Sequence, residues 1–463
     1  MTLKLPFDQY QWPMKHSHMK PFAHQIESAK FKLMNKRCYD FSDLGTGKTL
    51  SSLWAADFLL CNDKIRRVLI VSPLSTLQSV WGREIFTNFP HRKYAVAHGS
   101  KDYRATVIHG TADFVIINHD GVVIMEDELV KEKFDLIIID ELTAFKKHTT
   151  NRSKAMKRIA DKAKAVWGLT GAPTPNSPTE AFGQAKVVNP TNPYLPRYFT
   201  EFQGQVEQQI GPYIWIPKPD ATQIVNKVLQ PAIRFERDKC IDIPPCQYED
   251  IIVEFTKEQR EVYDKMKKEL LVEYNEGSIT AVNAAVKMMK LLQIAAGSVK
   301  DDAGSLYHID ATTRDEELWR IFEETGKTKL VVFCAFRASI EHLVEFFSKR
   351  KVKVASIYGS VDHKVRANHI HNFQEGDLQV LVIQPQSSAH GITLTAANVI
   401  VWHSLIASGE VYDQANGRIT RAGQTRKQLI IHLIGCQVEK RLLQILNSKG
   451  DMSKEVLDMF AEL

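Results

Sequence analysis

The sequence predicts an α/β protein with two parallel sheets separated by a stretch of different character, and three observations carry this. Short apolar runs rich in β-branched residues, Val68 to Val71, Phe114 to Ile117, Leu136 to Ile139 and Val166 to Leu169, each give way to polar or helical sequence. A second such set follows residue 320: Leu330 to Phe333, Val354 to Ile357, Val380 to Ile383, Val399 to Trp402 and Leu429 to Leu433. Between the sets, prolines fall at 190, 193, 196, 212, 217 and 219 before the pattern turns helical. At about 150 residues per domain, 463 residues make roughly three units. The expected boundaries are 1–190, 191–325 for the bridge, and 326–463.

In chain order, Cys38 to Phe41 reads as a first short strand, and Leu50 to Leu60 as the helix after it. Within the bridge, Glu258 to Leu271 and Ile279 to Ala296 space their apolar residues as helices that pack beside the second sheet. Tyr194, Tyr198, Phe199, Phe202, Tyr213 and Trp215 read as the core of a small protrusion, with stacking on unpaired bases as the alternative. Composition is globular, with 44% hydrophobic and 25% charged residues, and the formal charge of +6 permits anionic partners without demanding them. Six cysteines, none spaced as a zinc knuckle or redox pair, suit reduced thiols. Apolar runs such as Leu330 to Phe336 stop far short of the ~18 residues of a membrane span, and the N-terminus lacks the pattern of a signal peptide.

The sharpest chemical signal is Gly45-Thr46-Gly47-Lys48-Thr49 between a strand and a helix. Glycines let backbone N–H groups turn toward a polyphosphate, the helix N-terminus adds positive potential, Lys48 reaches the β and γ phosphates, and Thr49 can hold Mg²⁺. Asp140-Glu141 ends the run Leu136 to Ile139, at the carboxyl edge of a buried parallel strand, where such sheets bind ligands. One carboxylate can hold Mg²⁺ through water while its neighbour polarises a water that attacks the γ-phosphate. Alone, Asp-Glu after a strand is more often a solvated helix start; beside a phosphate loop the balance reverses. Far downstream, Gln414, Arg418 and Arg421 sit in a predicted helix, the arginines three apart and so on one face. Such a face can supply fingers to a γ-phosphate, or be a solvated helix end.

The order and spacing of these pieces resemble the Swi/Snf-type branch of superfamily-two helicase-like ATPases, over most of the chain. Pro21-Phe22-Ala23-His24-Gln25 looks like that family's adenine-reading glutamine motif, and Asp43 to Thr49 like its motif I. Val68 to Trp81 is similar to motif Ia, Asp140-Glu141-Leu142-Thr143 to the Asp-Glu-x-His box, and Leu169 to Pro173, with Asn176 and Glu180, to motif III. Arg237-Asp238-Lys239 resembles the linker into the second lobe. Leu330 to Phe336, Ser387 to Ala397 and Gln414 to Gln424 resemble motifs IV, V and VI, and Val438-Glu439-Lys440 the brace that reaches back to the first lobe. Four positions depart from the pattern, Thr143, Ala172, His390 and Thr420, all at groups that in the family couple ATP state to nucleic-acid grip.

The resemblance implies two tandem RecA-like domains with ATP and Mg²⁺ in the cleft. Gln25, Asp43, Gly45, Thr46, Gly47, Lys48 and Thr49 would bind nucleotide, Thr49 and Asp140 the metal, and Lys48, Asp140, Glu141, Gln414, Arg418 and Arg421 would act in catalysis. Duplex, forked or junction DNA would lie against Ser72, Asn118, Lys146, Lys147, Thr170 and Ser387. The expected activity is ATP-driven movement on duplex DNA that remodels DNA or protein–DNA complexes, by a monomer in a bacterial or phage-infected cytoplasm. The alternatives are an unwinding or branch-migrating helicase and a non-hydrolysing nucleotide-binding scaffold.

Overall fold

The computed structural model describes residues 5–14, 20–211, 214–240, 244–275, 281–300, 306–388, 392–421 and 424–448. The chain divides into two compact units, Met1–Asp242 and Ile243–Leu463. The stretch 191–325 is therefore shared between them: its proline-rich part belongs to the first unit, and its two long helices to the second.

The first unit is built on a seven-stranded parallel sheet. Its strands are β1 (Arg37–Asp40), β2 (Val68–Ser72), β3 (Tyr94–Val96), β4 (Phe114–Asn118), β5 (Leu136–Asp140), β6 (Ala165–Leu169) and, after an antiparallel hairpin of β7 (Glu207–Gly211) and β8 (Ile214–Pro217), β9 (Ala232–Ile233). They lie in the order β3-β4-β2-β5-β6-β1-β9. The two-residue period of a strand sends Leu69, Val71, Val115, Ile117, Ile137 and Ile139 into one core cluster, and Val68, Ile70, Phe114, Ile116, Leu136 and Ile138 into another. Both faces are therefore covered, and the strands read as unbroken apolar runs rather than alternating ones. β1, β5 and β6 are neighbours, with Asp40, Asp140 and Leu169 in register. The loops leaving their carboxyl ends therefore meet at one edge of the sheet, where parallel α/β folds place ligands.

The second unit holds a six-stranded parallel sheet, order β10-β17-β16-β13-β15-β14. Its strands are β10 (Cys246–Ile252), β13 (Leu330–Phe333), β14 (Val354–Ile357), β15 (Val380–Ile383), β16 (Val399–Trp402) and β17 (Gln428–Ile434); β11 (Ser298–Lys300) and β12 (Leu306–His308) form a separate ribbon. Val331, Phe333, Leu381, Ile383, Ile400 and Trp402 face one core, and Leu330, Val332, Val380, Val382, Val399 and Val401 the other. The helices Lys257–Asn275 and Ala281–Ala295 pack on the first of these cores through Tyr263, Met288, Leu291 and Leu292, beside the second sheet as expected. The helix Gln437–Ser448 lays Val438, Leu442, Leu443 and Leu446 on that core as well, and residues 449–463 lie outside the described residues. The fold is α/β with two tandem parallel-sheet bodies of RecA-like type. Among the described residues no helix is long and apolar enough to cross a membrane.

The aromatics of the proline-rich stretch divide. Phe202 is fully buried and Phe199 packs on His148 and Phe182, whereas Tyr194, Tyr198 and Trp215 are exposed. Tyr213 lies outside the described residues.

Candidate active site

The first unit's site grows from the loop between β1 and the helix α2 (Lys48–Cys61). Gly45 and Gly47 both stand at φ 86°, a left-handed conformation that glycine adopts without steric cost. A Cβ at Gly47 would come within 2.1 Å of Gln25 Nε2, so the glutamine side chain would have to leave its place on the loop. Gln25 lies in the helix Ala23–Met34, where its Oε1 accepts from Phe22 N at 3.1 Å and its Nε2 donates to Thr46 O at 3.3 Å. His24 Nε2 reaches the same carbonyl at 2.8 Å. The glutamine motif and the phosphate loop are thus one hydrogen-bonded body. Lys48 Nζ donates to the carbonyls of Ser42 and Asp43. Burial pulls its pKa down, against the opposing pull of Asp40, Glu141, Asp140 and Asp43. Thr49 follows it in the first turn of α2.

Asp140 ends β5. Its Oδ2 accepts from Trp81 Nε1 at 2.9 Å and its Oδ1 from Glu141 N at 3.1 Å, while burial raises its pKa. Glu141 stands at φ 50°, a left-handed conformation that costs a non-glycine residue about 1–3 kcal/mol and is characteristic of functional sites. The buried Thr143 follows in a short 3₁₀ turn. Thr170 N donates to Asp40 O at 3.1 Å, which seats the loop after β6 against the base of the phosphate loop. Thr170 Oγ1 then accepts from the amide of Ala172 at 3.4 Å.

Sequence reasoning missed the layer beneath. The buried ion pair Lys32–Asp40 (2.6 Å) lies below the loop, with Asp40 also accepting from Ser28 Oγ at 2.8 Å and from Ser42 N at 3.1 Å. Ser51, which accepts from Lys32, donates to Lys48 O. Burial works against ionisation of Asp40, but Lys32 and Lys48 outweigh it and hold its carboxyl well below the usual range. The signal available in the sequence was an acidic residue ending a strand otherwise bound for the core, with a lysine and Ser28 spaced four apart on the preceding helix. Trp81, already noted as the end of a motif, also has a definite role on Asp140.

Of the residues expected to meet DNA, Ser72, Asn118 and Thr170 are buried, and Asn118 Oδ1 accepts from Arg104 at 3.1 Å. Lys146 pairs with Glu180 at 2.8 Å, and that carboxylate also holds Asn176, so the segments after β5 and β6 are tied together. Lys147 is exposed. In the second unit, Ser387 is part-exposed, and His390 lies outside the described residues.

The arginines of the second unit lie elsewhere than expected. The helix Gly409–Asn416 contains Gln414 but ends at its C-cap Gly417, before Arg418 and Arg421. The turn is held locally: Arg418 N donates to Ala415 O, and Thr420 Oγ1 donates to Asn416 O. Arg418 is buried, with Nη1 on Ile392 O at 3.4 Å. Arg421 donates from Nη1 to Thr393 Oγ1 at 3.0 Å and from Nε to Gly417 O at 3.2 Å. Both of these partners are neutral, and burial alone brings its pKa down to about 10. Gln414 is buried beside Glu410, to which it donates at 3.3 Å. Glu439, in the motif beginning at Val438, forms a buried pair with Arg314 at 2.7 Å.

Comparison with known proteins places the chain in a family. The SNF2-related domain model matches residues 24–300, and the helicase conserved C-terminal domain model matches residues 313–423. The putative protein p41 of Acyrthosiphon pisum secondary endosymbiont phage 1 is 28% identical over 476 residues, covering 97% of this chain and 99% of that protein. The human DNA annealing helicase and endonuclease ZRANB3 is 24% identical over 447 residues, covering 92% of this chain and 39% of that protein. The solved Sulfolobus solfataricus SWI2/SNF2 ATPase core in complex with dsDNA is 22% identical, with 96% of each chain covered and a TM-score of 0.47. Apart from the phage protein, the relatives are longer, and the chain spans 39–57% of their length. With a family model covering more than half of its length, the chain belongs to the SNF2-related, Swi/Snf-type family of superfamily-two helicase-like ATPases.

Proposed function

We propose that this chain is a DNA-dependent ATPase that converts hydrolysis into movement on duplex DNA. The observation that carries the reading is the joint presence of a left-handed phosphate loop locked to Gln25 and a part-buried guanidinium, Arg421, whose partners among the described residues are neutral. A part-buried guanidinium whose partners among the described residues are neutral oxygens is set up to gain from an anion, as a finger on a γ-phosphate would.

On this reading the loop amides and Lys48 hold the triphosphate, and Gln25 orients the base. Glu141 accepts a proton from the attacking water, with its backbone amide fixed on Asp140. Arg418 and Arg421 neutralise the charge that develops on the transferred phosphoryl group; such a finger is worth about 10³ to 10⁵ in rate. The oxygen donors Thr49 and Asp140 suit a hard cation, and no cluster of three or more His, Cys, Asp or Glu that could form an all-protein metal cage stands among the described residues. Mg²⁺ held there would screen the phosphate charge. DNA as the activating partner is supported by the family and by the name of the human relative, a DNA annealing helicase and endonuclease. Lys146, Lys147 and Ser387 are the members of the expected contact set that are at least part-exposed, and phosphate contacts of this kind carry no base sequence.

ATP turnover measured with duplex DNA, single-stranded DNA, junction DNA and RNA tests the reading. Stimulation by duplex, lost in Glu141→Gln, is expected. A rate that no nucleic acid raises would remove DNA dependence from the account. Triplex displacement without strand release separates a translocase from an unwinding enzyme.

A further inference from the structure

The run that leads out of the first unit is hydrogen-bonded along the phosphate loop itself. β9 pairs in parallel with β1, and the ladder continues beyond the sheet: Phe41 N donates to Ile233 O at 2.8 Å and Asp43 N to Phe235 O at 2.9 Å. Phe235 N returns a bond to Ser42 Oγ at 3.1 Å, and Arg237 N donates to Asp43 Oδ2 at 3.1 Å. Ser42 and Asp43 are also the residues whose carbonyls receive Lys48 Nζ. At the other end of the loop, the ring of Phe235 meets the ring of His24 (5.7 Å between centroids), and His24 is bonded to Thr46 O. One residue thus touches the loop at its entry through the backbone and at its glycine turn through a buried imidazole.

We propose that Ile233–Arg237 is a positioning element of the nucleotide site, with Phe235 its central residue: it fixes the loop geometry on which ATP affinity depends. The proposal rests on the reading of the loop as an ATP site.

Four variants of the full chain test this: Phe235→Ala, Ser42→Ala, Ser42→Thr and the Phe235→Ala/Ser42→Ala double. Affinity for a fluorescent ATP analogue, KM and kcat for ATP, and Tm are measured for each. Loss of one hydrogen bond or one ring pair should raise Kd and KM about fivefold, with kcat within about twofold. Ser42→Thr, which keeps the hydroxyl, should return to within about twofold of the parent chain, and the double variant should lose less than the product of the singles because both act on one loop. Unchanged Kd and KM with a lowered Tm would show a structural strap only and overturn the proposal. If the parent chain binds the analogue without turning ATP over, the hydrolytic reading fails, and the Kd comparison still decides the positioning claim.

Discussion

Replacing Asp40 by Asn removes one charge from a place with almost no access to water. The Asp40 and Lys32 side chains are 1% and 0% exposed, and the carboxylate accepts from Lys32 Nζ, Ser28 Oγ and Ser42 N. The amide is nearly isosteric and can keep one acceptor, so packing changes little. What changes is that Lys32 keeps its charge without a counter-ion, and breaking one side of a buried pair costs about 3–5 kcal/mol. For a unit of this size each kcal/mol moves Tm by about 2–4 °C, so the first unit's transition should fall by about 6–20 °C. Differential scanning calorimetry is the assay, since each unit has its own core and a single two-state fit is not assumed. Lys32→Met/Asp40→Leu should recover most of the loss, because both charges leave together. Asp40→Asn melting within about 2 °C of the parent chain would refute the claim that the phosphate loop rests on an ion pair. The carboxyl is held below its usual range, so its stabilising share is present above pH 4 and fades on acidification.

Two further outcomes follow from the geometry. Trp81→Phe keeps a buried aromatic but deletes the Nε1 donor on Asp140; kcat should drop about tenfold with ATP affinity within about twofold, measured by steady-state turnover and fluorescent-nucleotide binding. In the second unit, burial depresses His403, but Asp315 and Cys334 outweigh it and lift its pKa to about 9. Its contribution is therefore complete below about pH 6.5 and lost as pH rises toward 9. Calorimetry should show the second unit weakening by roughly 2–3 kcal/mol across that window, and His403→Gln should flatten the slope.

The sequence made the centre of each sheet legible and left the margins dark, for a physical reason. Strands buried on both faces must be apolar throughout, so Leu136 to Ile139 and Val380 to Ile383 could be read directly. β10 reads Cys-Gln-Tyr-Glu-Asp-Ile-Ile and β3 is three residues long; both are edges, where one side needs no apolar partner. β9, two residues long, carries no periodicity, yet it brings the connecting run onto the phosphate loop. Loop chemistry was legible wherever residue type dictates conformation, as at Gly45 and Gly47. The arginine turn was misread because three-residue spacing suits a helix, and Gly417, where the helix ends, keeps a right-handed conformation (φ −64°) that any residue adopts. Lys32–Asp40 and Trp81–Asp140 were not legible because their partners, 8 and 59 residues apart, meet only through tertiary packing.

The central claim is that the chain is an ATPase whose hydrolysis depends on Arg421. Single-turnover hydrolysis by Arg421→Ala, beside its affinity for a fluorescent ATP analogue, tests this most directly. The account predicts a loss of at least about 10³ in rate with affinity within a few-fold of the parent chain. A variant that still cleaves ATP at the parent rate in the presence of duplex DNA would contradict it.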